Sequence, residues 1–188
     1  HMDPTPEERM SYHSFFALLA GLLATLLSAQ VRAQVQTHRD DRLGFEISYP
    51  ETWSKASAPG NPPFFIKRNS PYVIGTLSVD VRNFTGNRDT FMSQLRIDAP
   101  QFVAGMRQRF PDAEILEHGD TYLGSFPAYF ISTTYTLRNV GAELAVVAFQ
   151  VFCIRGSRIY LVNFETSTPA FEQVFPEYQA IMATFNFR

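Results

Sequence analysis

Residues 129–165 decide the fold, and they read YFISTTYTLRNVGAELAVVAFQVFCIRGSRIYLVNFE. The first part of this stretch alternates apolar and polar side chains, which is the period of a half-buried β-strand. One face of that strand is formed by Tyr129, Ile131, Thr133, Tyr135 and Leu137.

Two further strands follow within the same stretch. Asn139-Val140-Gly141 has turn chemistry, and Leu144 to Ile154 is apolar on both faces. A tight turn at Arg155-Gly156-Ser157 then leads into Arg158 to Glu165. Because the turns are short, we expect the strands to pair antiparallel. The central strand, apolar on both faces, requires cover on both sides of the sheet.

Shorter strands are predicted before this stretch. Phe45 to Tyr49 alternates until Pro50, Phe64 to Ile66 is apolar, and Leu77 to Val81 alternates again. Ala113 to Glu117 and Tyr122-Leu123 also have strand character, and we expect a turn at His118-Gly119-Asp120 between them. Lys55 to Pro63 contains three prolines and a glycine, which predicts a loop.

Helical periodicity marks the segment from Asn87 to Phe110. Asn87 or Asp89 is a suitable N-cap, Pro100 predicts a kink or break, and Pro111 ends the segment. The apolar stripe consists of Phe91, Leu95, Ala99, Phe102, Met106 and Phe110.

A second helix is predicted after Thr168-Pro169, where the hydroxyl can cap and proline takes the first helical position. We expect Pro176 to divide it. Its stripe is Phe171, Phe175, Tyr178, Met182 and Phe185. The two helical segments supply the cover that the sheet requires. The predicted fold class is therefore α+β, a central antiparallel sheet of about six strands with helices on both faces, an α-β-α sandwich.

The N-terminal residues have the character of an export signal. Residues 15–29, FFALLAGLLATLLSA, are apolar and uncharged, and as a helix they would rise about 22 Å, short of the ~30 Å hydrocarbon core. Val31-Arg32-Ala33 suits cleavage before Gln34. The alternatives are an uncleaved membrane anchor and a buried helix.

This interpretation divides the chain into three parts. Residues 1–33 comprise a cloning remnant at His1-Met2 and the signal peptide, with Met10 as an alternative start. Residues 34–43 are polar and without period, which predicts a flexible leader. Residues 44–188 form a single α+β domain. We expect the mature protein to be periplasmic or secreted, with no membrane insertion after cleavage.

Composition places the chain among globular proteins. Hydrophobic residues make up 45% and charged residues 18% of the 188 residues. The 18 phenylalanines predict a thick aromatic core. The formal charge of −2 supplies no broad attraction for nucleic acid or anionic membrane.

The sequence contains no residue pattern typical of a catalytic, cofactor-binding or metal-binding site. We therefore assign no residue to such a site and expect no cofactor. His38 and His118 lack a second histidine at i+4, so we interpret both as surface residues. Glu114, Glu117 and Asp120 are interpreted as a solvated cluster rather than a Ca²⁺ site, because a strand points neighbouring side chains to opposite faces. Cys153 is the only cysteine, and its apolar surroundings predict a buried, inert thiol rather than a nucleophile.

Three segments in order resemble a known family. Gly44 to Trp53 reads GFEISYPETW, Gly124 to Tyr129 reads GSFPAY, and Ile159-Tyr160-Leu161 is followed by a helix and Thr184-Phe185. They are similar to the opening, middle and end of PsbP-like domains, across about residues 44 to 187. Ser-Phe is usual where Thr184-Phe185 stands.

The resemblance implies an α-β-α sandwich with about six antiparallel strands. Family members include the extrinsic photosystem II protein, bacterial envelope proteins and a Ran-binding nuclear import factor, and most of them are docking or assembly proteins rather than enzymes. The matched motifs are structural, so no functional residue is transferred to this chain.

The sequence therefore favours an exported, non-enzymatic binding or assembly module of the cell envelope, with a protein partner of unknown identity. The loops at Lys55–Pro63 and 118–127 are the expected contact surface. The alternatives are a carrier of a small apolar ligand between sheet and helices, and a hydrolase of unrecognised type.

Overall fold

The structure is a computed structural model that describes residues 34–57, 61–69, 71–139 and 142–188. The predicted signal peptide and cleavage site precede Gln34 and lie outside these residues, as do Val140 and Gly141 of the predicted turn. Residues Val35–Arg188 form one compact unit.

Seven antiparallel strands form the main sheet, in the order β3-β4-β5-β9-β8-β7-β6. Their bounds are β3 Trp53–Lys55, β4 Phe64–Asn69, β5 Tyr72–Asn83, β6 Glu114–Leu123, β7 Phe126–Asn139, β8 Ala142–Arg155 and β9 Arg158–Ser167. The predicted antiparallel pairing of the three strands in residues 129–165 is confirmed, since β8 pairs with β7 on one side and β9 on the other.

A second sheet has three strands in the order β1-β2-β10, with β1 Val35–Asp40, β2 Phe45–Pro50 and β10 Asn186–Phe187. The flexible leader predicted for residues 34–43 is therefore wrong over β1, which pairs with β2 from Val35↔Pro50 to Asp40↔Phe45. Its side chains are mostly exposed, so the strand is held by backbone pairing. Because this pairing does not require alternating apolar residues, the sequence of β1 has no strand periodicity.

The predicted turn at residues 118–120 is also wrong, because β6 runs unbroken through it. Gly119 lies opposite Phe130 of β7, and a Cβ at position 119 would stand 3.3 Å from the Phe130 ring. The glycine therefore makes room for an aromatic ring across the strand pair. The turn itself is at Gly124, whose φ of +56° favours glycine.

The first helix, α1, spans Arg88–Arg107. The predicted cap is confirmed, since the Thr90 backbone N–H donates to Asn87 Oδ1 over 2.9 Å. Pro100 lies inside the helix on an exposed position and does not interrupt it. The fully buried residues are Met92, Ala99 and Val103, and most of the predicted stripe lies beside them, half-buried.

The second helix, α2, spans Phe171–Ala183 after a 3₁₀ turn at Thr168–Ala170. Pro176 lies within it and does not divide it. The buried side chains are Val174, Tyr178 and Ile181, so the predicted stripe is correct at Tyr178 but shifted at its other helical positions. No described helix is long and apolar enough to span a membrane.

Alternate residues of β8 contribute to different parts of the core. Phe149, Val151 and Cys153 pack in the cluster that includes α2 and β2, whereas Val146, Ala148 and Phe152 pack in clusters that include α1. The fold is thus α+β as predicted, but mostly sheet. The main sheet has seven strands rather than about six, and a separate three-stranded sheet accompanies it.

Candidate functional site

The two histidines of the described residues lie in different strands. His38 is in β1, half-buried, with its ring centroid 5.6 Å from that of Phe65, so the surface position predicted for it is wrong. His118 is exposed in β6, and its Nδ1 lies 2.5 Å from the hydroxyl oxygen of Tyr129. The strand pairing of β1 therefore leaves half-buried a histidine whose sequence neighbours are polar.

The three acidic residues considered as a cation site all lie on exposed positions of β6. Asp120 accepts a hydrogen bond from Arg96 Nε of α1 over 3.1 Å. Among the residues that the structure describes, no group of three His, Cys, Asp or Glu side chains is arranged to hold a metal ion.

Cys153 has no exposed surface, as predicted. Its Sγ lies 3.7 Å from the Pro127 carbonyl oxygen. Burial raises the pKa of its thiol to about 11, which keeps the sulfur protonated at neutral pH.

The segments expected to form a contact surface differ from simple loops. Most of 118–127 belongs to β6 and β7, with only Gly124-Ser125 between them. Lys55 ends β3, and part of the segment up to Pro63 lies outside the described residues. A group of three exposed apolar side chains lies together in another part of the molecule.

We define the apolar sheet end as Val73, Leu137 and Leu144. It lies at the end of β9, between the β4–β5 hairpin and the β7–β8 hairpin. The last pair of β9 with β8 is Ser167↔Val146, whereas β7 and β8 continue together through Leu137↔Leu144 to Asn139↔Ala142. All three side chains line one recess of about 100 Å³. Their exposed fractions are 44%, 38% and 47% for Val73, Leu137 and Leu144.

Ion pairs hold the projecting β7–β8 hairpin in position. Arg138 Nη1 lies 3.1 Å from Asp112 Oδ1, and its Nε lies 3.1 Å from Glu143 Oε1. A hydrogen bond from Thr136, followed by that from Arg138, lowers the pKa of Asp112 to about 2. These groups carry one positive and two negative charges, so the leucines of the hairpin lie beside a polar, weakly acidic border.

The sequence placed Leu137 on one face of its strand and Leu144 at the start of a strand that is apolar on both faces and requires cover. The apolar pattern of a strand indicates the face on which a side chain lies. It does not indicate whether the neighbouring strand is long enough to cover that side chain. The apolar sheet end therefore had no separate signal in the sequence.

A second feature is the α2 recess, a cavity of about 290 Å³ between α2 and the sheet. Tyr178 contributes to its wall and is only 2% exposed. Its hydroxyl is buried and has no hydrogen-bond partner among the described residues. Burying such a group without a partner costs about 1–3 kcal/mol, and burial raises the pKa of the phenol above its ordinary range.

A polar network joins α2 to the first strands of the main sheet. Glu177 Oε2 accepts a hydrogen bond from Trp53 Nε1 over 2.8 Å, and Glu177 Oε1 forms an ion pair with the buried Lys67. Glu177 lies more than a hundred residues along the chain from both of its partners, so no local sequence pattern could have paired it with them.

Comparison with known proteins shows similarity in structure rather than sequence. No protein-family model and no curated protein sequence matches the chain. The solution structure of cyanobacterial PsbP (CyanoP) from Synechocystis sp. PCC 6803 is similar with a TM-score of 0.61 and 14% identity, covering 85% of this chain and 96% of that one.

Two other solved structures have the same architecture. LpqN, involved in cell envelope biogenesis of Mycobacterium tuberculosis, has a TM-score of 0.55 at 15% identity, covering 81% of this chain and 91% of its own. The Saccharomyces cerevisiae Ran-binding protein Mog1p has a TM-score of 0.53 at 8% identity, covering 82% and 96%. The chain therefore has the PsbP-like and Mog1 fold, which the order of its sequence segments predicted.

Proposed function

We propose that this protein is an exported binding module of the cell envelope that holds a protein partner without chemical turnover, and that the apolar sheet end is its docking surface. The observation that carries the proposal is the convergence of Val73, Leu137 and Leu144, all substantially exposed, on one recess. Contiguous exposed apolar side chains with a polar border are typical of protein interaction sites.

The arrangement of the helices explains why docking would take place at an end of the sheet. Successive side chains of a strand point to opposite faces, and alternate residues of β8 pack with α1 and with α2. We infer that the two helices cover opposite faces of the main sheet. The ends and edges of its strands then remain for a partner, and the apolar sheet end is where two hairpins leave side chains uncovered.

The proteins of similar fold support a binding role. Mog1p is a Ran-binding protein, and LpqN is involved in cell envelope biogenesis. Since one fold hosts many functions, these two proteins support a binding role in general. The partner itself has to be found by experiment.

The test begins with capture from an envelope fraction of the native source, with cross-linking and mass spectrometry to identify the partner. The purified partner is then titrated by calorimetry against the full chain and a Leu137→Ser/Leu144→Ser variant. Because apolar contacts at the centre of an interface carry much of the binding energy, we expect the variant to bind at least about tenfold more weakly.

The matched control is Ile97→Ser, which removes an equally apolar and more exposed side chain from α1. It should bind with unchanged affinity. Unaltered binding by the Leu137/Leu144 variant would exclude this surface, and turnover of a substrate by the purified protein at ordinary enzymatic rates would exclude the non-catalytic function.

A further inference from the structure

The α2 recess has walls from both the helix and the sheet. Phe149 and Val151 of β8 form one side, and Phe175 and Met182 of α2 form the other. The ring centroids of Phe149 and Phe175 lie 5.5 Å apart. Phe149 also stacks on Phe130 with centroids 4.9 Å apart, so the aromatic wall is held by its own packing.

These apolar walls are only partly covered by the protein. Phe149, Phe175 and Met182 are half-buried, although they pack against the largest core cluster. Apolar side chains at such positions gain free energy when further surface is removed from water. An apolar group placed in the recess would supply that cover.

Tyr178 adds a second and independent indication of a ligand. Its ring centroid lies 5.8 Å from those of both Phe149 and Phe175, and its hydroxyl is buried without a partner in the described part of the chain. Buried hydroxyls in native proteins are normally hydrogen-bonded. A phenolic hydroxyl can donate one hydrogen bond, and none of the described residues accepts one from Tyr178.

The chemistry of the walls restricts the class of molecule. The ten residues that line the recess include no Asp, Glu, Lys, Arg or His, so a charged group there would lack a counter-charge. The volume of about 290 Å³ lies at the small end of ligand cavities.

We propose that the α2 recess binds a small uncharged molecule with an apolar, ring-sized body and one carbonyl-type oxygen, which accepts a hydrogen bond from the Tyr178 hydroxyl. The recess shares no wall residue with the apolar sheet end. Ligand binding in the α2 recess can therefore be tested independently of the docking function.

The test uses a matched pair of probes, 2-acetylnaphthalene and 2-ethylnaphthalene, which have nearly the same shape and differ in the carbonyl oxygen. Each is titrated into the full chain carrying ¹³C-methyl methionine, and the Met182 methyl signal is followed by NMR. We expect the acetyl compound to bind about tenfold more tightly, the contribution of one hydrogen bond, and both to shift the Met182 signal.

Substitution then assigns the hydrogen bond. Tyr178→Phe should lower affinity for the acetyl compound about tenfold and leave that for the ethyl compound unchanged. Because the hydroxyl has no partner in the described fold, this variant should fold at least as stably as the native chain. Tyr160→Phe, a change to another buried tyrosine, is the control and should leave both affinities unchanged. Ala183→Phe, which fills the recess from its rim, should abolish both.

Equal affinities of the native chain for the two probes would overturn the hydrogen bond to Tyr178, as would an unchanged acetyl affinity in Tyr178→Phe. No binding of either probe, or binding that leaves the Met182 signal unmoved and survives Ala183→Phe, would overturn the site itself.

Discussion

Cys153 lies in β8 with no exposed surface, and burial raises the pKa of its thiol to about 11. Since the thiolate is the reactive form, we expect a thiol reagent at about pH 8 to leave the native protein unlabelled and to label one site per chain in guanidinium chloride. The measurement is intact-mass spectrometry over a time course. Rapid stoichiometric labelling of the native protein would contradict the buried, inert state.

We expect His38 to make the stability of the protein depend on pH. Its Nε2 is buried without a hydrogen-bond partner among the described residues, and burial, followed by the charge of Lys55, lowers the pKa of its imidazole below 6.5. The unfolded chain therefore binds the proton more readily than the folded one. It follows that the free energy of unfolding should decrease as pH falls from about 7.5 through 6.5 toward the lowered folded pKa.

The prediction is tested by urea unfolding at about pH 7.5 and about pH 5.5. His38→Phe, which keeps a ring beside Phe45 and Phe65, should reduce the difference in stability between the two conditions. His118→Asn, a substitution of the exposed histidine of β6, is the control and should keep the native difference. An identical pH dependence in His38→Phe and the native protein would show that His38 is not responsible.

At the scale of elements, Glu177 connects α2 to β3 and β4 through Trp53 and Lys67. Glu177→Ala would leave the buried Lys67 ammonium without its partner. Because the Glu177 side chain is 31% exposed, we expect a loss of about 2–3 kcal/mol in the free energy of unfolding, at or below the lower end for buried pairs.

Two variants make this test specific. Glu172→Ala removes an exposed glutamate of the same helix and should change stability by no more than about 0.5 kcal/mol. Lys67→Met combined with Glu177→Gln removes both charges and retains an acceptor for Trp53, so it should recover most of the loss. A Glu177→Ala protein as stable as the Glu172→Ala control would mean that the ion pair contributes little.

The C-terminal segment is predicted to be essential to the fold. Val174, Tyr178, Ile181 and Phe185 are buried in the main core cluster, and each large apolar side chain contributes about 1.5–3 kcal/mol on burial. Their total is comparable with a domain's net stability of roughly 5–15 kcal/mol. A chain that ends at residue 167 should therefore show no cooperative thermal transition by circular dichroism. A cooperative melt near the native temperature would contradict this.

At the scale of the whole molecule, the proposed export predicts a mature protein that begins at Gln34. Cleavage there would leave the first strand, β1 from Val35, intact. Mass spectrometry of the protein from its native source should find this N-terminus in the envelope or secreted fraction. Because signal cleavage requires a small residue before the cut, Ala33→Phe should accumulate as the uncleaved chain. An intact N-terminus on the native protein in the cytosolic fraction would contradict export.

The sequence alone determined the local elements whose pattern depends on their own residues. The three long strands of residues 129–165, their antiparallel pairing, α1 with its Asn87 cap and the burial of Cys153 all follow from periodicity and turn chemistry. Each of these features is set by contacts between near neighbours in the chain or by which face a side chain takes.

The tertiary structure decided the features that depend on how far distant elements extend. β1 is a strand because β2 lies beside it, and Gly119 is within a strand because Phe130 lies opposite. Leu137 and Leu144 are exposed because β9 ends at Ser167, and the Tyr178 hydroxyl lacks a partner among the described residues because of where α2 packs on the sheet. Periodicity assigns a residue to a face, whereas exposure and hydrogen bonding at that face are set by the residues that the whole fold brings against it.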